Sequence, residues 1–367
     1  MRSSFKVAIV HDWLVGGGAE KVVLELHKIY PDAPIYTSYC SDEWREKLDN
    51  KVVTGYLQNW PFSKLRKFLP LLRMRWFASL DLSGFDLIIS STGNGEAKFV
   101  KKPTGAKHIC YCHSPVHFYW RHYEAYIKNP GFGAFNSLAR LGLRLLIKPL
   151  RKLDYQAAQA VDIFIANSTH IQNDIKKYYG KDSVIIHPPV DVERFAVTPK
   201  HKRAGLITVG RLVPNKRVDI IIKACNELGL QLTVIGRGPE LKSLQAIAGP
   251  TISFDSNASD EKVAEYMATA EAFLFASFED FGITPVEAMA AGTPVIAYKA
   301  GGALDYVVAG KTGEFFDKQS SESLVSVLKL FKSSIYNSAN IQQYSHKFSV
   351  ENFHNNLSRY LETAKGA

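Results

Sequence analysis

Cysteine is scarce: Cys40, Cys110, Cys112 and Cys225 are the only four in 367 residues. That is too few for a disulfide framework, and a reduced compartment fits. Cys110, Cys112 and His113 lie close together, but C-x-C spacing with no second ligand pair is unlike common zinc sites. Packed strand cysteines and no metal are therefore expected. Long apolar runs are missing too. Nothing approaches the ~20 residues of a spanning helix, and Met1–Lys6 leads straight into the strand-like VAIV. The expectation is a cytoplasmic chain, with peripheral attachment to the inner face of the cell membrane as its membrane option. Acid is absent from two stretches. Residues 51–80 hold Lys51, Lys64, Arg66, Lys67, Arg73 and Arg75, interleaved with Trp60, Phe62, Phe68, Trp76 and Phe77. Residues 137–153 hold Arg140, Arg144, Lys148, Arg151 and Lys152. Both stretches suit an anionic membrane surface or a phosphate-bearing acceptor, with a plain solvated basic face as the simpler reading. Nucleic acid is not expected, because no binding motif accompanies the charge.

What is present is a globular composition, 46% hydrophobic and 22% charged, on a chain long enough for two domains. The net charge of +10 is one-sided. Residues 1–200 carry 28 of the 45 Lys+Arg and 18 of the 35 Asp+Glu, leaving 17 of each for residues 201–367. Short apolar strands alternate with helical stretches throughout. The first series begins with a strand at 6–10, then Gly16-Gly17-Gly18 and a helix from Ala19 to about Tyr30. Strand, glycine loop, helix is an arrangement that cradles phosphate. Further strands are expected at 35–37, 87–90, 108–112, 161–166 and 184–186. His113 follows the strand 108–112 at its carboxyl edge. Residues 190–204, polar and carrying Pro199, read as an interdomain linker. A second series follows, with strands at 205–209, 231–235, 252–254, 272–276, 294–298 and 313–315. The fold class is α/β, two Rossmann-like doubly wound domains facing across a cleft. The boundaries are 1–195, a linker 196–204, 205–345, and a final helix 346–367 crossing back to the first domain.

One stretch, Phe273 to Val295, organises the second domain. A buried strand ends in a loop holding Glu279, Asp280, Phe281 and Gly282. Thr284 and Pro285 read as N-cap and first helical residue. Glu287, three residues after Thr284, completes a capping box. Gly292 is the expected left-handed helix terminator. The loop lies where open α/β sheets bind ligands, and Gly282 lets an anion approach the helix N-terminus. Arg211 and Lys216, after the domain's first strand, add two cations. A nucleoside diphosphate is the natural guest, with carboxylates Glu279 and Glu287 accepting from sugar and ribose hydroxyls. The bland alternative for Arg211 and Lys216 is a surface pair.

At these residues the chain resembles the family 4 retaining glycosyltransferases, which have the GT-B fold. Glu279-Asp280-Phe281-Gly282 through Glu287 and Gly292-Thr293-Pro294-Val295 carry the likeness, with Gly210-Arg211-Leu212 and Lys216. In the first half it rests on Gly16-Gly17-Gly18-Ala19-Glu20 and on Tyr111-Cys112-His113-Ser114-Pro115 through Trp120. Within the family the chain is most similar to bacterial mannosyltransferases that build surface polysaccharide from GDP-mannose. The resemblance implies a hexosyltransferase moving mannose to a lipid-linked or polysaccharide acceptor, with retention and without a metal or other cofactor. It implies that Glu279 binds the sugar, Glu287 the ribose, and Arg211 and Lys216 the leaving diphosphate. His113 would stand near the reaction centre. Gly16, Gly17, Phe281, Gly282, Ile283 and Thr284 would line the donor site, and Gly236 would lie near the base. Asp305 departs from the glutamate expected there, and Ser90–Gly95 is richer in glycine than the family pattern.

Rival readings are a UDP-sugar-dependent transferase and a nucleotide-sugar epimerase or hydrolase of the same fold. A dinucleotide-dependent oxidoreductase is a third. Gly236-Arg237-Gly238 lacks the third glycine of that fingerprint, although Asp255 stands ~20 residues on, where a ribose-binding acid would sit. A non-catalytic binding protein is the last.

Overall fold

A computed structural model describes residues 5–128, 130, 133, 136–197 and 201–366. It divides into two units, Met1–Pro188 and Pro189–Ala367. The first is built on a parallel sheet of seven strands. They are β1 (Val7–His11), β2 (Ile35–Thr37), β3 (Val52–Val53), β4 (Leu87–Thr92), β5 (Lys107–Cys112), β6 (Ile163–Ala166) and β7 (Ser183–Ile185). Their order is β3-β2-β1-β4-β5-β6-β7. Every residue of β1 and β4 is buried, as strands covered on both faces require. The register sets His11 opposite Ser91. The strand order reverses between β1 and β4, so their carboxyl ends form this sheet's topological switch point.

The second unit repeats the plan with β8 (Leu206–Val209), β9 (Leu232–Ile235), β10 (Ile252–Asp255), β11 (Ala272–Phe275), β12 (Val295–Tyr298) and β13 (Gly313–Phe316). These are ordered β10-β9-β8-β11-β12-β13, with the reversal between β8 and β11. Crossover helices such as Gly18–Ile29, Thr169–Tyr179, Val218–Leu228 and Asp260–Thr269 join the strands. Both units are therefore the doubly wound α/β domains expected.

Three features differ from expectation. The helix after β11 runs Ile283–Ala290, with Gly282 as its N-cap at φ +88° and no side-chain cap hydrogen bond. Thr284 thus lies inside the first turn, and no capping box with Glu287 forms. A glycine in the left-handed region turns the chain two residues sooner than the Thr284 cap would. The second unit begins at Pro189, ahead of the linker expected at 196–204. Val190, Val192 and Phe195 are buried in the second unit's core, and the Val190 N–H donates to the Phe348 carbonyl at 2.9 Å. Arg203 is docked as well, donating to the carbonyls of Ala270 and Ala291 at 2.9 Å each. Residues 198–200, Pro199 among them, lie outside the described residues. Several further helices were not anticipated, among them two of eight residues or more. Pro70–Ala78 buries Arg73 beside Met74, Trp76 and Phe77, so its core face does not read as apolar. Ser338–Ser345 is polar except for Ala339, Ile341 and Tyr344.

Candidate functional site

In the second unit the groups singled out from the sequence gather at the β8/β11 switch point. Arg211 and Lys216 follow β8; Ala276, Ser277 and Glu279 follow β11. The Lys216 ammonium is in direct contact with the Glu279 carboxylate. Both are largely but not wholly buried, at 20% and 24% side-chain exposure. Arg211 is exposed beside them, in the lining of the small pocket that also holds Lys216 and Ser277. The Ser277 hydroxyl donates to the Asn215 carbonyl at 3.1 Å, tying the two edge loops together.

The Glu279–Gly282 loop is set by glycines elsewhere. The Gly302 N–H donates to the Glu279 carbonyl at 2.9 Å. A Cβ on Gly301 would stand 2.2 Å from that carbonyl oxygen, and one on Gly302 2.3 Å from the Phe281 Cα. Only bare backbone fits at this crossing. Phe281 packs its ring inward, edge-on to Tyr306 at 5.6 Å. Gly282, Ile283 and Thr284 then present the helix N-terminus, and Ile283, Thr284 and Glu287 are the half-buried residues of an otherwise covered helix. Tyr306 is fully buried, and its hydroxyl has no hydrogen-bond partner among the described residues. It lies 3.0 Å from where a Gly282 Cβ would be.

Gly236 has a packing reason of its own: a Cβ there would meet the Gly210 carbonyl oxygen at 1.9 Å. Gly238 meets Leu212 in the same way, at 2.1 Å. Asp255 is taken by Lys262 at 2.9 Å and by Tyr266 at 3.2 Å. This pair of glycines is a loop crossing, and the half-met dinucleotide fingerprint has neither an open cradle nor an unengaged acid.

In the first unit, His113 sits at the end of β5, its Nε2 2.8 Å from the Ser91 hydroxyl. Its carbonyl accepts from the Asn167 side chain at 3.0 Å, and its ring lies edge-on to His11 at 6.5 Å. Cys110 and Cys112 are buried thiols in β5, and burial pushes Cys110 up to about 12. The glycine loop is occupied by its own chain: the Glu20 carboxylate accepts from the Gly16 N–H at 3.1 Å and the Val15 N–H at 3.4 Å. Gly17 is the N-cap of the following helix.

Sequence reasoning missed Asp12. It is 1% exposed at the β1 edge and holds the whole β4 loop. Its carboxylate accepts from the Thr92 hydroxyl and from the N–H groups of Gly93, Asn94 and Ala97, at 2.7–3.0 Å. The signal was an aspartate directly after a central strand. It also missed Glu96, Lys98 and Asp154. Lys98 pairs with Asp154 and donates to the Gly95 carbonyl at 2.9 Å; Asp154 also accepts from Trp120 and Tyr179. A Cβ on Gly95 would stand 2.2 Å from Val116, which accounts for one glycine of the unusual 90–95 segment. Arg73, expected on a basic face, is instead 3% exposed and paired with Glu96. Burial pushes Glu96 up to about 7, against the opposing pull of Arg73.

Residues 16–194 match the model of Glycosyltransferase Family 4, and residues 189–348 that of Glycosyl transferases group 1. Among curated proteins, the chain is 28% identical over 198 residues to a GDP-mannose-dependent alpha-(1-6)-phosphatidylinositol monomannoside mannosyltransferase of Mycolicibacterium smegmatis. That match covers 46% of this chain and 52% of the relative. It is 27% identical to the GDP-Man:Man(3)GlcNAc(2)-PP-Dol alpha-1,2-mannosyltransferase of Mus musculus, over 82% of this chain and 74% of that protein. The mouse protein apart, the chain spans about half the length of the curated relatives it matches. Of solved structures, Anabaena HepE in complex with UDP superimposes with a TM-score of 0.73 at 18% identity, covering 98% of this chain and all of that one. Sucrose-phosphate synthase from Thermosynechococcus elongatus does so with 0.71 at 16%, covering 99% of each. Both likenesses are to the GT-B fold.

Proposed function

Because the chain belongs to the glycosyltransferases, with a family 4 domain ahead of a group 1 domain, we propose that it transfers a hexose from a nucleoside diphosphate sugar to a glycan or glycolipid acceptor. The donor on this reading is GDP-mannose. The names of the mycobacterial and mouse relatives support it. The observation that carries the reading is the Lys216–Glu279 contact at the β8/β11 switch point, beside Arg211 and the glycine-capped helix. The two cations and the helix N-terminus suit a diphosphate, which gathers charge as it leaves. Glu279 accepts from sugar hydroxyls and Glu287 from the ribose. His113, held by Ser91, serves the sugar's reacting end. Transfer retains the anomeric configuration, and Arg211, Lys216 and backbone amides supply the electrostatic stabilisation without a metal.

The acceptor on this reading is met at a membrane. Leu138, Leu141 and Leu145 are more than half exposed at i, i+3 and i+7 of the helix Asn136–Gln159, a single face. Arg144, Lys148 and Lys152 are exposed on the same helix. Trp60 and Phe68 are exposed in the other basic stretch. An apolar strip beside cations suits anionic lipid headgroups. Among the described residues no helix is long and apolar enough to cross a membrane.

Thermal unfolding with GDP, UDP and ADP tests the donor. A ligand at a hundred times its Kd adds about 2.7 kcal/mol to stability, which moves Tm by several degrees. GDP is expected to give the largest shift and Lys216→Ala to abolish it. If no nucleoside diphosphate shifts Tm, the donor reading fails. Consumption of GDP-mannose at full rate without acceptor would instead assign an epimerase or hydrolase.

A further inference from the structure

The basic stretch 51–80 does not end as a uniform solvated face. Two of its arginines turn to the carboxyl edge of the first sheet. Trp13, two residues beyond β1 and half-buried, has the Arg73 guanidinium 4.8 Å and the Arg66 guanidinium 5.9 Å from its ring centre. Arg66 also lies 4.7 Å from the Tyr39 ring and donates to the Ser63 carbonyl at 2.6 Å. Behind Trp13 the Arg73–Glu96 pair leaves polar atoms unmatched. Among the described residues, Arg73 Nε and Nη1, Glu96 Oε2 and the hydroxyl of fully buried Tyr119 have no hydrogen-bond partner. Buried polar atoms are almost always paired, so four unpaired ones in and beside one buried pair need an explanation.

The balance of charge points one way. Two guanidinium groups flank Trp13, and the carboxylate paired with Arg73, Glu96, is held partly protonated near neutral pH by burial. Two other acids lie nearby, and both are engaged: Asp12 by Thr92, Gly93, Asn94 and Ala97, and Asp154 by Lys98, Trp120 and Tyr179. The place is also right, since Trp13 follows β1 and Glu96 follows β4, the two strands that flank the switch point. A lipid surface cannot use Arg73, which is 3% exposed.

We propose that Trp13 and Arg66, with Arg73 as a fixed positive charge behind them, form a subsite in the first unit for the oxyanion of an acidic acceptor, a phosphate or a carboxylate. The proposal rests on the glycosyltransferase reading. Arg66 contacts the oxyanion through its guanidinium, Trp13 covers the acceptor's apolar side, and Arg73 is a positioning residue.

The test is calorimetric titration of the full chain, with the donor site saturated by whichever nucleoside diphosphate it binds. The probes are glucose 6-phosphate, inorganic phosphate and glucose. Glucose 6-phosphate is expected to bind at least tenfold tighter than glucose, and inorganic phosphate to compete with it. Arg66→Gln should remove most of that preference and Arg66→Lys should restore part of it, both with unchanged Tm. Equal binding of the two sugars, or an unchanged preference in Arg66→Gln, overturns the subsite. So does an Arg66→Gln variant that loses only its binding to phosphatidylglycerol vesicles, which would assign Arg66 to lipid. Loss of nucleoside diphosphate binding in the parent chain is a separate result and strikes the donor reading instead.

Discussion

At the scale of single residues, the first unit is organised by buried carboxylates. Asp12 gathers a hydroxyl and three N–H groups from one loop. Asp12→Asn turns an amide NH2 toward those donors, so several hydrogen bonds to a charged group weaken together. A loss of more than about 3 kcal/mol is expected from urea unfolding. The amides of Gly93, Asn94 and Ala97 should lose hydrogen-exchange protection first. Glu96 makes the opposite kind of prediction. Its folded value of about 7 stands above its ordinary 4.5. The folded state therefore binds more protons than the unfolded one between those two values, and the stability Glu96 contributes is lost as pH rises through that window. Glu96→Gln, which keeps an acceptor for Arg73, should gain on the parent chain as pH goes from 5 to 8. A Tm difference that stays constant over that range would remove Glu96 as the titrating group. Tyr306 is simpler. Its hydroxyl is buried without a partner among the described residues, so Tyr306→Phe is expected to leave stability unchanged or raise it by about 1 kcal/mol. A clear loss would mean the hydroxyl has a partner in solution.

At the scale of elements, loop crossings do the positioning. The segment 300–302 clamps the 279–281 backbone, and Gly236 and Gly238 clamp the loop after β8. Gly302→Ala is expected to push the Glu279 loop outward. Sugar transfer should fall more than nucleoside diphosphate binding, and parallel losses would point to general unfolding instead. The strands and most crossover helices were legible because buried parallel strands read as apolar runs bounded by polar turns. Arg211, Lys216, Glu279 and Gly282 could be picked out because they lie within a few residues of strand ends. Asp12, Glu96, Lys98 and Asp154 were not, because each acts through partners 23 to 85 positions away, and charged residues are expected outside the core. The capping box was misread for a local reason: Thr284 and Glu287 have the right spacing, and nothing in the residue types says that Gly282 will start the helix first.

On the scale of the whole molecule, the two units differ in electrostatic character, and the entire +10 excess resides in residues 1–200. The exposed leucines and cations of Asn136–Gln159 give that excess a direction. Replacing Leu138, Leu141 and Leu145 together by Ser should cut partition onto phosphatidylglycerol vesicles at least tenfold while leaving Tm and nucleoside diphosphate affinity unchanged. Unaltered partition would leave the helix as an ordinary solvated face. The donor side of the molecule behaves differently. On the proposed reading, because Lys216 already holds Glu279, the pocket shows an approaching diphosphate little more than the charge of Arg211. Long-range attraction is then weak, and the association rate should depend only gently on ionic strength. On the same reading, the exchange of the Glu279 carboxylate for the diphosphate follows encounter. Differences among nucleotides should accordingly appear in how long each one stays, rather than in how fast it arrives.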